Sequence, residues 1–213
     1  MKPKLPRQVQ LLSDISKVIA ESLDLEETLK SILKSLDTHL KLRRGTITLF
    51  DSETETLNIK AAHRLSAKSR ELGSYKIGEG ITGMVVQTGK EIVVPDISKD
   101  ERFLHKTKSR KQTKGKRVAF FCVPVKLEGK TIGALSVDRQ AAGSDDFDAN
   151  VRMLNIISSM VAQAVKLNKL VQSQQKQLQD ENVRLRRELK SQFNIHNMIG
   201  TSNAMKEVYR LIE

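Results

Sequence analysis

A chain of 213 residues with 38% hydrophobic and 29% charged residues can hold one well-packed domain plus an extension. Its single cysteine, Cys122, excludes an internal disulfide and a multi-cysteine zinc site. No apolar run is long enough to cross a bilayer, and MKPKLPRQVQ lacks the apolar centre of a signal peptide, so a cytoplasmic protein without a membrane partner is expected. The net charge of +12 admits nucleic acid or an anionic ligand, depending on where the charge sits.

Residues 1–8 read as a disordered lead-in. Val9, Leu11, Leu12, Ile15, Val18, Ile19 and Leu23 then recur at helical spacing. A second helix is expected from Leu25 to about Lys41, with Glu26 and Glu27 in the first turn, where the helix dipole favours acids. Residues 46–50 and 57–63 alternate as a hairpin around a polar turn, and Ser66 to Leu72 is a charged connection. The stretch YKIGEGITGMVVQTGKEIVVPDIS, residues 75–98, reads as turn, short helix, turn and strand. Gly78, Gly80 and Gly83 punctuate its start, and Gly89 stands where a helix C-cap would.

A basic, polar loop, Lys106 to Arg117, precedes two strands, Val118–Val125 and Thr131–Asp138, joined by a tight turn at Leu127–Lys130. Both strands are apolar on both faces, which predicts a central position in a sheet covered on two sides. From Asp146 to Gln192 no glycine or proline interrupts, which allows one helix of about 70 Å. A heptad can be laid along it, with Ile157, Ala164, Val171, Leu178 and Leu185 at d. Val161 and the polar Asn168, Gln175 and Asn182 fall at a. Such a pattern suits a two-stranded parallel coil and therefore a homodimer; a solvated single helix is the alternative. Beyond it, Ser202 or Asn203 caps a last helix carrying Met205, Val208, Leu211 and Ile212.

In this order the elements resemble a GAF domain over roughly residues 9–170. The resemblance implies an α+β fold, an antiparallel sheet flanked by helices and followed by a long signalling helix. The segments YKIGEGITGMVVQTGKEIVVPDISKDERF and CVPVKLEGKTIGALSVDR resemble the GAF domain of NifA-type transcriptional activators. The tail MIGTSNAMKEVYRLIE looks like the entry to the AAA+ domain of activators that work with sigma-54. The implied organisation is a GAF domain over 9–148, a coiled-coil linker over 149–192 and the start of an AAA+ domain over 193–213.

What the resemblance implies is a regulatory sensor that controls a downstream ATPase. The full-length protein would meet sigma-54 RNA polymerase, promoter DNA and, in some relatives, an anti-activator protein. No G-x-x-x-x-G-K-[ST] loop occurs in the chain, so it is expected neither to hydrolyse ATP nor to act as an enzyme. The alternative is a GAF ligand-binding or dimerisation module of another signalling protein, taking a cyclic nucleotide or other anionic metabolite.

A pocket of such a domain would be lined by Ile81, Thr82, Val85, Ile97, Phe103, Phe120 and Cys122, with Arg102, Arg117 and Arg139 as anion partners. The same space can instead be filled by those side chains. Cys122, mid-strand, reads as a small buried hydrophobe. His39, His63, His105 and His196 have no metal-ligand spacing, and only His63, ending an apolar alternation, is placed to face a cavity. Neither a catalytic set nor a cofactor or metal is expected; a small-molecule effector is left open. The basic loop reads as a solvated loop, an anion lid, or a contact for nucleic acid or a partner.

Overall fold

A computed structural model describes residues 6–108, 117–140, 147–192 and 202–212. It divides into two units, Met1–Lys169 and Leu170–Glu213. In the first, helix α1 (Arg7–Glu21) buries Leu11 and Ile15, and α2 (Leu25–Leu40) buries Leu29, Ile32, Leu33 and Leu36. Helix α1 starts at Arg7, inside the expected lead-in, while residues 1–5 lie outside the described residues. Asp24 caps α2 by accepting from the Glu27 amide at 2.9 Å, which satisfies an otherwise orphan donor. At the other end Lys41 turns left-handed (φ 58°), and its amide closes the helix on the Asp37 and Leu36 carbonyls.

Strands β1 (Arg43–Asp51) and β2 (Thr56–Ala62) form the expected hairpin, with Phe50 opposite Leu57. After it come a short helix α3 (Ala67–Glu71) and a two-residue strand β3 (Ser74–Tyr75). The charged connection gave no sign of either, since neither buries an apolar residue of its own. Helix α4 (Gly80–Thr88), strand β4 (Ile92–Val94), and strands β5 (Val118–Leu127) and β6 (Lys130–Gln140) complete the sheet. Its order is β3-β2-β1-β6-β5-β4, antiparallel throughout. Glycine is required at position 133, where β6 lies so close to β1 that a Cβ would stand 2.1 Å from the Thr48 carbonyl oxygen.

The central pair β5–β6 is buried on both faces. Ala119, Phe121, Val123, Leu135 and Val137 join α1, α2 and the first half of helix α5 (Phe147–Gln192) in the larger core. Phe120, Cys122 and Ala134 face the other way, against α4, β4 and Ile97. The second unit holds the rest of α5 and helix α6 (Asn203–Ile212). Met205, half-buried, lies in α6 with Val208 and Leu211, which are exposed. Among the described residues no helix is long and apolar enough to cross a membrane.

One polar cluster ties α2 to the hairpin. The buried Asp37 carboxylate accepts from Arg64 Nε at 2.5 Å and meets His63 Nε2 at 3.0 Å, with Arg43 Nε at 4.0 Å. His63 therefore faces a helix and not a cavity, which corrects the expectation for it. Burial raises the Asp37 pKa, but the hydrogen bonds from His63 and Arg64 outweigh it and hold the carboxyl below its usual value. A depressed carboxylate contributes stability above its unfolded pKa of about 4 and loses that contribution as pH falls through the folded value. With Arg64 half exposed, Asp37→Asn should cost roughly 1–2 kcal/mol at pH 7. Urea unfolding at stepped pH should show that difference closing below about pH 4.

Candidate functional site

The Gly-rich turn before α4 is built by backbone demand. Gly78 and Gly80 have φ of 83° and 59°, and a Cβ on Gly83 would lie 2.4 Å from the Lys76 carbonyl oxygen. Glu79, at the helix start, accepts from the Lys76 amide at 2.8 Å and pairs with Lys106 Nζ at 2.5 Å. The Lys106 and Lys76 hydrogen bonds hold its carboxyl below the usual range. Lys106 also donates to the Ser74 carbonyl at 2.9 Å and stands 5.1 Å from the Tyr75 ring centroid. One lysine thus pins the loop after β4 onto both β3 and α4.

Under that loop the expected pocket is packed. Val85 and Cys122 have no exposed surface, Ile81 and Phe120 have 4% and 5%, and Thr82 and Ile97 have 8% each. These buried side chains pack against one another, with Ile81, Val85, Ile97, Phe120 and Cys122 in one apolar cluster. Phe103 closes the cluster edge-on to Phe120, with ring centroids 5.0 Å apart, and His105 stacks edge-on to Phe103. The lining residues are thus brought together as a core. Cys122 is a buried hydrophobe whose thiol, within hydrogen-bond reach of Thr82, is pushed up to about 12 by burial.

The three arginines do not converge. Arg102 forms a two-pronged pair with Asp100 in its own turn, at 2.9 and 2.6 Å. Arg117 donates to the Pro95 carbonyl at 3.0 Å. Arg139 lies opposite Ala119 and follows Val137 in the alternation, which puts it on the helix-covered face of the sheet, away from the cluster. Its place as an anion partner of this pocket is corrected on that ground. Lys106 and Lys108 are the described part of the basic loop besides Arg117; its residues 109–116 lie outside the described residues, as does His196. No group of three potential metal ligands occurs among the described residues.

Helix α5 divides the residues expected on the pairing seam. Ile157, Val161 and Ala164 are buried in the domain's own core, and Ser158 Oγ donates to the Pro124 carbonyl. Asn168 Nδ2 donates to the Leu23 carbonyl at 3.3 Å, so its amide holds the α1–α2 turn. These four therefore serve the fold of one chain. The later positions belong to the second unit. Val171 is half-buried, Asn182 exposed, and Leu178, Leu185 and Leu189 are exposed by 66%, 46% and 53%.

A family model of the GAF domain matches residues 24–165. The chain is 36% identical over 206 residues to the nitrogen fixation protein AnfA of Azotobacter vinelandii, covering 97% of this chain and 38% of that protein. It is also 36% identical over 197 residues to the Nif-specific regulatory protein of Herbaspirillum seropedicae, covering 92% and 36% of the two. The chain thus spans less than half the length of these relatives. Among solved structures, the A. Aeolicus nlh2 GAF domain in an inactive state superposes with a TM-score of 0.66 at 22% identity. That match covers 76% of this chain and 96% of the other. The free methionine-R-sulfoxide reductase of Neisseria meningitidis shares the fold at a TM-score of 0.62 and 15% identity, over 79% and 96%.

The packed cluster carries a direct expectation. A maleimide at pH 8 should leave Cys122 unmodified in the native chain and label it fully in denaturant, since only the thiolate reacts. Lys106→Met should speed proteolysis of the loop after β4 with a stability loss of about 1 kcal/mol. Rapid native labelling would show that the cluster opens.

Proposed function

The chain belongs to the GAF domain family, and on that premise we propose that it is the regulatory region of a NifA-like transcriptional regulator. In this reading it works as a dimeric relay that restrains or releases a following AAA+ ATPase. The full-length protein would then act with sigma-54 RNA polymerase at promoters of the nitrogen-fixation type, in the cytoplasm. The likeness to AnfA and to a Nif-specific regulatory protein supports the biological setting.

The observation that carries the relay reading is the division of α5. Its first half is locked into the GAF core by Leu154, Ile157, Val161 and Val165, while the leucines at 178, 185 and 189 present apolar surface without a cover among the described residues. A helix anchored in this way transmits any repacking of the domain to the residues beyond it, and a second copy of the chain is the symmetric partner that would cover them. Asn182 at an a position keeps such a pairing weak enough to have alternatives, as a switch needs.

The packed cluster around Cys122 favours protein contact, through self-pairing or an anti-activator, over an occupant of that space as the input. A small molecule there would have to displace side chains that already fill it. Sedimentation velocity tests the proposal. The chain should dimerise, and Leu178→Asp with Leu185→Asp should weaken the dimer at least 100-fold, at about 1.5–3 kcal/mol per buried leucine. Thermal unfolding of the GAF core should not change, because both leucines are exposed outside it. A monomeric wild type, or an undiminished dimer in the variant, refutes the pairing.

A further inference from the structure

Within the second unit, the later half of α5 is sorted by sign as well as by polarity. Val171, Leu178 and Leu185 share one side of the helix, with Asn182 between the two leucines, which are exposed by 66% and 46%. At about 100° per residue, Glu181 stands about 60° to one side of Leu178 and Arg186 about 80° to the other. The two charges therefore flank the apolar strip from opposite sides. On the Glu181 flank the preceding residue is Gln174, and on the Arg186 flank Gln172 and Gln179 come before it, so up to position 186 each flank carries a single sign. Glu181 and Arg186 are both exposed, and among the described residues neither has an ion pair within the chain. Glu188, the next acid on its flank, already pairs with Arg184 of its own helix at 3.4 Å.

We infer that Glu181 and Arg186 choose the partner and direction of the helix pair: a second copy of this chain, parallel and in register, with each Glu181 meeting the partner's Arg186. The inference rests on the pairing proposed above and adds to it the residues that decide its direction. In a parallel pair each flank of one helix borders the other flank of its partner about five residues further on, and the two-fold symmetry makes the contact twice. In an antiparallel pair each flank borders its own kind, so acid meets acid and base meets base. Asn182 favours the same direction. In a parallel, in-register pair it faces its own copy, and the two amides can bond to each other. In an antiparallel pair it faces an apolar position, which leaves a buried amide without a partner. A foreign helix with one sign on both flanks would meet like charge along one of them, so the pattern selects against it as well.

Sedimentation equilibrium of the 213-residue chain and its charge variants at low salt tests this. Glu181→Arg and Arg186→Glu should each weaken self-association about tenfold, because two attractive contacts become two repulsive ones. An equimolar mixture of those two variants should associate as tightly as the wild type, since every arginine then finds a glutamate on the other chain. The double exchange, Glu181→Arg with Arg186→Glu, should likewise recover the wild-type affinity. Mixture and double exchange also guard against a variant that fails to fold, because each restores only the charge pairing. These differences should shrink at about 1 M salt, where exposed charges are screened. If the wild type dimerises but both single variants self-associate as it does, the flanks do not set the direction and the inference is overturned while the pairing stands. A mixture no tighter than its components, or a double exchange that recovers nothing, overturns it equally. A monomeric wild type removes the pairing and this inference together.

Discussion

The molecule is organised by the two-residue alternation of the central pair β5–β6. Because successive side chains of a strand point to opposite faces, one hairpin divides the domain into two cores. Ala119, Phe121, Val123 and Val125 face the three helices, and Phe120 and Cys122 face α4 and β4. A slip of one residue would exchange the two sets, which differ in shape and partners, so register is strongly specified. The same rule decides the polar residues at the strand end. Asp138 and Arg139 are neighbours in sequence yet serve opposite faces, and that parity puts Arg139 on the helix-covered face, away from the expected pocket.

A domain with both sheet faces filled has few ways to respond to a signal. The apolar cluster around Cys122 is buried, and the loop above it is held by the Lys106 contacts with Glu79, Ser74 and Tyr75. What remains open is the exposed leucines past Lys169. Helix α5 carries them. Its first half packs under the sheet, and its later residues carry the apolar surface proposed to pair. A regulatory reading of the chain therefore rests on one helix.

Elements with strong periodicity were legible in the sequence. Helices α1, α2 and α5, the β1–β2 hairpin and the β5–β6 pair follow from apolar spacing and turn chemistry, and Gly89 closes α4 as expected, with φ of 65°. Helix α3 and strand β3 were not legible, because they are short and bury almost nothing of their own. The Asp37 cluster was missed because its partners lie 26 and 27 residues away on another element, a distance no local pattern spans. The heptad is an apolar repeat in the sequence, and its first repeats serve the core of the same chain. Periodicity reports that a face is apolar and is silent about what covers it. Ile81, Val85, Ile97, Phe120 and Cys122 share one apolar cluster, while whether such residues enclose space or fill it depends on packing.

Site-directed disulfide trapping along the later part of α5 tests the central claim most directly. The chain offers a clean background, because its single cysteine is buried and its thiol is held in the unreactive protonated form. In a parallel, in-register pair each seam residue meets its own copy, within the ~4.4–6.8 Å between Cα atoms that a disulfide needs. Leu178→Cys and Leu185→Cys should each give a covalent dimer under mild oxidation. Lys176→Cys, two residues from position 178 and on the opposite side of the helix, should not. Absence of the dimer at both leucine positions, or equal trapping at position 176, would contradict the paired-helix relay.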